Sequence, residues 1–151
     1  MSAGAEGQAT DAKIEAVRRF LALFHATDLD LPAIREALAP DARWQPLVPI
    51  APTVEGADAI CAEAERQYRI YADCRCEILH AARSGSTVFT ERVDRVRLLG
   101  DDREVVTRVA GVFDLDEAGR IAFWREYWDG LDIAAQIGVS GEEMRAIMDP
   151  A

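Results

Sequence analysis

Hydrophobic residues recur at helical spacing in the first half of the chain. The clearest stripe consists of Ile14, Val17, Phe20, Leu21 and Phe24. Such a stripe is typical of a helix that packs against a core, with Thr10 able to cap its start and Asp11 in its first turn. A short helix is predicted to follow Asp30 and to end at Pro40, and a third helix to occupy residues 57–71.

In the second half of the chain the hydrophobic period changes to two, which is typical of β-strands. Four strands are predicted at residues 74–83, 87–99, 103–115 and 119–129. The turns between them are short, which favours an antiparallel meander. Residues 43–48 can form a further short strand before a proline-rich loop, and a weakly helical tail occupies residues 131–147.

The predicted helices precede the predicted strands along the chain. This order predicts the α+β class, in which the helices cover one face of an antiparallel sheet. Long, twisted strands wrapped around helices leave a cavity between them. The length of 151 residues is that of one domain, which we place at residues 10–151. Residues 1–9 are mostly Gly, Ala, Ser and Gln, and we expect them to be disordered.

The strand at residues 87–99 has an arginine and an aspartate on the face that its alternation turns inward. Arg92 and Asp94 share that face with Val88 and other apolar residues. Burying charges there costs several kcal/mol unless each charge finds a partner. Glu126, which lies between two tryptophans on one face of a later strand, is the natural third member of this group.

Two carboxylates with an arginine between them, in an apolar cavity, suit acid–base catalysis. One carboxyl can stay protonated and donate a proton, while the other stays ionised and accepts one. The alternative is a buried ion triad that only ties neighbouring strands together. Composition and periodicity leave both interpretations open.

The net charge of the chain limits the kinds of molecule that it is expected to bind. Lys and Arg number 17 against 27 Asp and Glu, and the formal net charge is −10. Without a basic stripe to neutralise phosphates, nucleic acids and anionic membranes are excluded as partners, and a neutral small molecule is favoured. The chain has neither a membrane-length apolar run nor a signal-peptide pattern, so we expect a cytoplasmic protein.

The cysteines and histidines do not form a metal-binding pattern. There are three cysteines, an odd number: Cys61, Cys74 and Cys76. The last two are predicted to share a strand face. All three are expected to be buried and inert. His25 and His80 are far apart and lack ligand spacing. No metal site is therefore predicted.

Four segments of the chain are similar to those of a known protein family in their order and spacing. These segments are residues 88–94, 111–113, 119–121 and 124–129. With Arg-x-Asp in the first and Trp-Arg-x-Tyr-x-Asp in the last, the chain resembles the limonene-1,2-epoxide hydrolase family of the nuclear-transport-factor-2-like (SnoaL-like) superfamily. The resemblance implies a cone-shaped α+β fold in which a curved antiparallel sheet wraps around N-terminal helices and encloses a cavity.

The resemblance also implies an epoxide hydrolase that converts a small apolar epoxide into a diol in one step, without a cofactor. Asp94 would protonate the epoxide oxygen, Glu126 would take a proton from the attacking water, and Arg92 would bridge the two. The substrate would lie against an apolar wall made by Val96, Val109, Trp124 and Trp128. A homodimer is expected through the outer sheet face, which includes Phe89 and Val93.

The chain departs from the family pattern where the water is held. The family has an aspartate at the position of Glu126, whose side chain reaches about 1.5 Å further, and a tyrosine and an asparagine at the positions of Trp44 and Pro46. An isomerase, cyclase or lyase that uses the same cavity is therefore the alternative, with Trp44 as a wall for a larger or aromatic substrate. The third interpretation is a non-catalytic module that binds a small ligand.

Overall fold

The computed structural model describes residues 11–150, which form five helices and six strands. The helices are α1 (Ala12–Ala22), α2 (Leu31–Ala37), α3 (Ala57–Gln67), α4 (Gly130–Ile137) and α5 (Gly141–Met148). The strands are β1 (Leu38–Gln45), β2 (Val54–Glu55), β3 (Tyr71–Ser84), β4 (Thr87–Leu98), β5 (Glu104–Leu115) and β6 (Ile121–Trp128). The predictions for residues 1–9 and for Thr10 fall outside the described residues.

Helix α1 starts at an aspartate cap. The carboxylate of Asp11 accepts hydrogen bonds from the backbone N–H groups of Lys13, at 3.0 Å, and Ile14, at 3.2 Å. These bonds satisfy two of the donors that the start of a helix leaves free, so Asp11 precedes the helix rather than lying in its first turn. The apolar stripe faces the core as predicted, with Ile14 partly buried and the other four residues buried.

The predicted end of α2 is wrong, because strand β1 begins before Pro40. Leu38 already has an extended backbone, with φ −98° and ψ 142°, and pairs with Ile121 of β6. The register between β1 and β6 shifts between Leu38 and Arg43, which accommodates the proline. The parallel pairing with β6 sets the boundary between α2 and β1. The local hydrophobic period gives no information about pairing with a distant strand.

The third helix also ends earlier than predicted. Helix α3 stops at Gln67, and Tyr71 opens β3, where it pairs with Leu98 of β4. The other three long strands agree with the predicted bounds within two residues. The tail forms two helices separated at Gly138, which adopts a left-handed backbone with φ 78°.

The sheet has the strand order β2-β1-β6-β5-β4-β3, and β3 to β6 form the predicted antiparallel meander. A large core lies between the inner sheet face and α1, α2 and α3, and a smaller one lies between β5 and α4 and α5. A cavity of about 230 Å³ lies between the two cores, because residues of both line it. None of the helices in residues 11–150 has the length and apolarity needed to cross a membrane.

Candidate active site

Arg92, Asp94 and Glu126 meet on the inner face of the sheet. The Nε and Nη2 atoms of Arg92 donate to Oδ1 and Oδ2 of Asp94 at 2.8 and 3.0 Å. Nη2 also donates to Oε1 of Glu126 at 2.6 Å. Arg92 and Glu126 are only 2% and 5% exposed. One buried guanidinium therefore joins carboxylates of β4 and β6, as the sequence interpretation required.

A glycine in the intervening strand makes this bridge possible. Gly111 of β5 lies opposite both Thr90 of β4 and Glu126 of β6. A Cβ atom at this position would lie 2.6 Å from Nη1 of Arg92 and 2.9 Å from Oγ1 of Thr90. Only a residue without a side chain leaves room for the guanidinium to cross β5. The sequence analysis did not assign Gly111 a role, although a glycine inside a strand is a known signal of close approach.

Burial is the main influence on the ionisation of this triad. It raises the pKa of Glu126 above its ordinary value, against the opposing effect of Arg92, and the nearby Asp94 raises it further. Burial alone would lower the pKa of Arg92, but attraction to Glu126 and Asp94 outweighs it and raises that pKa. The guanidinium therefore stays charged, while Glu126 keeps its proton to a higher pH than an exposed glutamate.

Buried polar atoms around the triad lack hydrogen-bond partners within residues 11–150. Those that belong to cavity-lining residues are Glu126 Oε2, Arg92 Nη1, Trp44 Nε1 and Trp124 Nε1. An unpaired buried polar group costs about 1–3 kcal/mol. The set combines one carboxylate oxygen with three N–H donors, so it suits a small polar group that both donates and accepts hydrogen bonds.

The predicted wall residues all line the same cavity. They are Trp44, Val96, Val109, Trp124 and Trp128. The rings of Trp44 and Trp124 stack with centroids 4.3 Å apart and an angle of 7° between their planes. Nε1 of Trp128 donates to the carbonyl oxygen of Pro46 at 2.8 Å, so the proline contributes its backbone to the site.

Two tyrosines, Tyr68 and Tyr71, also line the cavity. The hydroxyl of Tyr68 donates to the carbonyl oxygen of Phe24, and that of Tyr71 donates to Oε1 of Gln67 at 2.6 Å. Burial raises the pKa of both phenols above the usual value. They are therefore neutral hydrogen-bonding groups at the edge of an otherwise apolar wall.

Potential metal ligands also lie beside the triad. Ligand atoms of Cys74, Cys76 and Asp94 all lie within 4.8 Å of one another. The two cysteines share a strand face, as predicted, and their Sγ atoms are 3.7 Å apart. The sequence analysis predicted no metal site, because nothing in the local pattern shows that Asp94 lies opposite Cys76 across the strand pair.

One protein-family model matches most of the chain. It describes the limonene-1,2-epoxide hydrolase catalytic domain and matches residues 11–138. The match runs from the cap of α1 to the end of α4, so it includes the triad and the predicted wall.

Solved structures share the fold. An LEH-like epoxide hydrolase from M. tuberculosis is 27% identical, with a TM-score of 0.70 over 82% of this chain and 87% of that chain. A putative SnoaL-like polyketide cyclase from Shewanella putrefaciens is 14% identical, with a TM-score of 0.77 over 91% and 92%. The epoxide hydrolase/cyclase-like enzyme SalBIII, with a role in pyran ring formation in the polyether salinomycin, is 21% identical, with a TM-score of 0.69 over 80% and 92%. The predicted α+β, SnoaL-like fold is confirmed, but this fold serves several reactions.

Proposed function

The chain belongs to the limonene-1,2-epoxide hydrolase family, and we propose that it opens a small apolar epoxide to a diol by general acid–base catalysis with water. The observation that supports this best is the guanidinium of Arg92, which joins Asp94 and Glu126 inside an apolar cavity. Burying this triad requires desolvation that a site for purely apolar ligands does not need. A catalytic role accounts for it better than the binding-module interpretation does.

In the proposed reaction, Asp94 donates a proton to the epoxide oxygen while the carbon–oxygen bond breaks. Glu126 takes a proton from water while the water oxygen bonds to the same carbon. The product is a diol, and no covalent bond forms between enzyme and substrate. Each of these proton transfers typically contributes about 10²–10⁴ in rate. The next cycle requires Glu126 to lose its proton and Asp94 to regain one.

The single positive charge of Arg92 suits this division of roles. One guanidinium offsets the charge of one carboxylate, so one carboxyl group of the pair can hold a proton while the other is ionised. The proposed roles need that proton on Asp94 and an ionised Glu126. The raised pKa of Glu126 favours the proton on Glu126, so the proposed reaction also requires this proton to move to Asp94 before the epoxide opens.

The water would be held differently from the family pattern. Glu126 uses Oε1 to accept from Arg92, which leaves Oε2 to accept a proton from water. The indole N–H groups of Trp44 and Trp124 make no hydrogen bond of good geometry within residues 11–150, although that of Trp124 is near enough to Glu126 to lower its pKa, so both can donate to a water beside Oε2. These donors would replace the side chains that the family uses at the positions of Trp44 and Pro46.

The test is turnover of a panel of terpene and cycloalkene epoxides in oxygen-18 water. We expect labelled diol from the parent and a loss of at least about 10²-fold from Asp94→Asn and from Glu126→Gln. Asp102→Asn and Glu104→Gln are matched controls, because both carboxylates are exposed and bind Arg97 and Arg95 rather than Arg92. Equal rates in all five proteins would contradict the assignment of the two carboxylates.

Rearranged product without the label would instead indicate an isomerase, cyclase or lyase. Trp44 and Pro46 favour this second candidate, because both line the cavity and neither has the polar side chain with which the family holds the water. In that case a hydroxyl group or acidic carbon of the substrate replaces water, and the same two carboxylates carry the protons. Both carboxylate variants would still lose activity.

We also propose that the outer sheet face pairs with a second copy of the chain. Phe89 is 45% exposed and Tyr127 is 42% exposed. In the sheet Phe89 lies opposite Val112, and Tyr127 lies opposite Ala110. With Val93 on the same face of β4, these residues place apolar side chains on three strands, interrupted by the charged Glu91 and Arg108. Exposed apolar surface of this kind is a common mark of an association surface.

Sedimentation at micromolar concentration tests the pairing. We expect a dimer from the parent and a monomer from Phe89→Asp, because the buried carboxylate would lack a partner at the interface. Leu99→Asp is the matched control, since Leu99 is similarly exposed but lies in the turn after β4. A parent that sediments only as a 16.6 kDa species would rule out the dimer.

A further inference from the structure

Cys74 and Cys76 lie beside Asp94, and the proposed reaction gives these two cysteines no role. Both cysteines are free thiols, and both line the cavity together with Asp94. Cys76 lies directly opposite Asp94 across the β3–β4 pair. β3 has a bulge at this point, where Asp73 has φ 56° and the register shifts between Ala72 and Arg75. Such bulges re-aim side chains, often next to functional sites.

The distances are close to those of a tetrahedral metal site. Two sulfur atoms bound to one Zn²⁺ at about 2.3 Å stand about 3.8 Å apart in tetrahedral geometry. The Sγ atoms of Cys74 and Cys76 are already 3.7 Å apart. A carboxylate oxygen in such a site stands about 3.6 Å from each sulfur. The oxygen of Asp94 lies within 4.8 Å of both, so a shift of at most about 1.2 Å completes the set.

The charges also suit a divalent cation. Each thiol loses its proton when it becomes a metal ligand, so binding one divalent ion releases two protons and leaves the net charge of the cavity unchanged. As a ligand Asp94 would be ionised, which is the form that accepts both hydrogen bonds from Arg92. Thiolate ligands select Zn²⁺ and softer ions over Mg²⁺ and Ca²⁺, which prefer oxygen ligands.

Asp94 can serve this site without leaving Arg92. Each of its oxygens accepts one hydrogen bond from the guanidinium, and a carboxylate oxygen has a second lone pair for another partner. The fourth position of the tetrahedron would face the cavity, because all three ligands line it.

We propose that Cys74, Cys76 and Asp94 form a binding site for one soft divalent metal ion, such as Zn²⁺ or Cd²⁺, in the wall of the cavity. The ion would bind the carboxylate of Asp94, which the proposed hydrolysis needs as its proton donor. Metal binding itself needs no substrate, so its test is independent of the proposed function.

The test is titration of the reduced protein with cadmium chloride, followed by thiolate-to-metal charge-transfer absorption. We expect saturation at one Cd²⁺ per chain, with release of about two protons per ion into weakly buffered solution. Cys74→Ser and Cys76→Ser should each abolish the band. Asp94→Asn should weaken the affinity at least about tenfold, since even indirect partners of a metal site have effects of this size.

Cys61→Ser is the matched control. Cys61 is also a free buried cysteine, but its Sγ atom donates to the carbonyl oxygen of Leu31, outside the cavity. The proposal is wrong if no band appears, or if Cys61→Ser removes the band as fully as Cys76→Ser does. It is also wrong if the unfolded protein has one free thiol instead of three, because the pair would then be a disulfide. If Cys74→Ser does not fold, Cys76→Ser decides, since Cys76 is only half-buried.

Discussion

Strand β4 carries two arginines that each bridge two carboxylates, and the two groups differ in their access to water. Arg92 binds Asp94 and Glu126, and its side chain is 3% exposed. Arg97 binds Asp73 and Asp102 at 2.8 Å each, and its side chain is 38% exposed. Each group pairs one guanidinium with two carboxylates, and the two groups differ most in burial.

The pKa of a carboxyl group shifts in opposite directions in the two groups. In the exposed group, hydrogen bonds from Thr27 and Arg97 lower the pKa of Asp73. In the buried group, desolvation raises the pKa of Glu126 although Arg92 is only 2.6 Å away. A shared arginine is thus compatible with a permanently ionised carboxylate in water and with a proton-holding carboxyl inside the cavity. Acid–base chemistry needs a carboxyl group that can hold a proton beside one that is ionised.

The largest expected difference between the two groups is the effect of removing each arginine. Arg92→Gln leaves the buried Glu126 and the partly buried Asp94 without their cation and should lower the free energy of unfolding by about 3–5 kcal/mol. Arg97→Gln should change it little, because water solvates the carboxylates that remain. Urea unfolding of both variants at neutral pH measures this difference. Equal losses would mean that burial does not distinguish the two groups.

A smaller effect is expected from Gly111→Ala, which leaves all charges in place but obstructs the path of Arg92 across β5. The added methyl group would come within 2.6 Å of Nη1, so the guanidinium or the strand must shift. We expect a loss of about 1–3 kcal/mol in the free energy of unfolding and, if the proposed function holds, a loss of turnover.

Gly100→Ala is the control for that experiment, because nothing lies within 4 Å of a Cβ atom at residue 100. Its unfolding free energy should stay close to that of the parent. If Gly111→Ala were equally harmless, the missing side chain would not be what allows the bridge to form.

The smallest expected effect is in the pH dependence of stability, where the two groups should have opposite signs. The folded state holds the Glu126 proton more tightly than the unfolded chain does. The stability of the parent relative to Glu126→Gln should therefore fall as the pH rises from about 4.5 through the raised pKa. The pKa of Asp73 is lowered, so stability relative to Asp73→Asn should fall as the pH drops below 3.8 through the folded value.

Urea unfolding of the parent and both variants over this pH range measures the two slopes. Slopes of the same sign would contradict the opposite ionisation behaviour that the structure assigns to the two carboxylates.

Part of the candidate site could be predicted from local sequence. Alternation along β4 was sufficient to place Arg92 and Asp94 on one inward face, and Glu126 was a reasonable third member. Gly111 was quoted only as part of a motif, because its importance depends on the residues that lie opposite it in two other strands. The position of Cys76 beside Asp94 depends on strand register in the same way.

The sequence by itself determined the features that depend on near neighbours in the chain. These are the helical stripe of α1, the four long strands, their short turns and the face on which each side chain lies. Periodicity reports them because a helix and a strand each repeat at a constant spacing. The ends of α2 and α3 were wrong, since strand pairing with distant residues overrode the local pattern.

Only the tertiary structure decided which strands are neighbours, how their registers align and how deeply each charge is buried. These relations join residues far apart in the chain, such as Arg92 and Glu126, and local preferences carry little information about them. The sign of the pKa shift of Glu126 follows from that burial. Residue types can therefore indicate an acid–base site, but desolvation by the whole fold sets the pKa values at which it works.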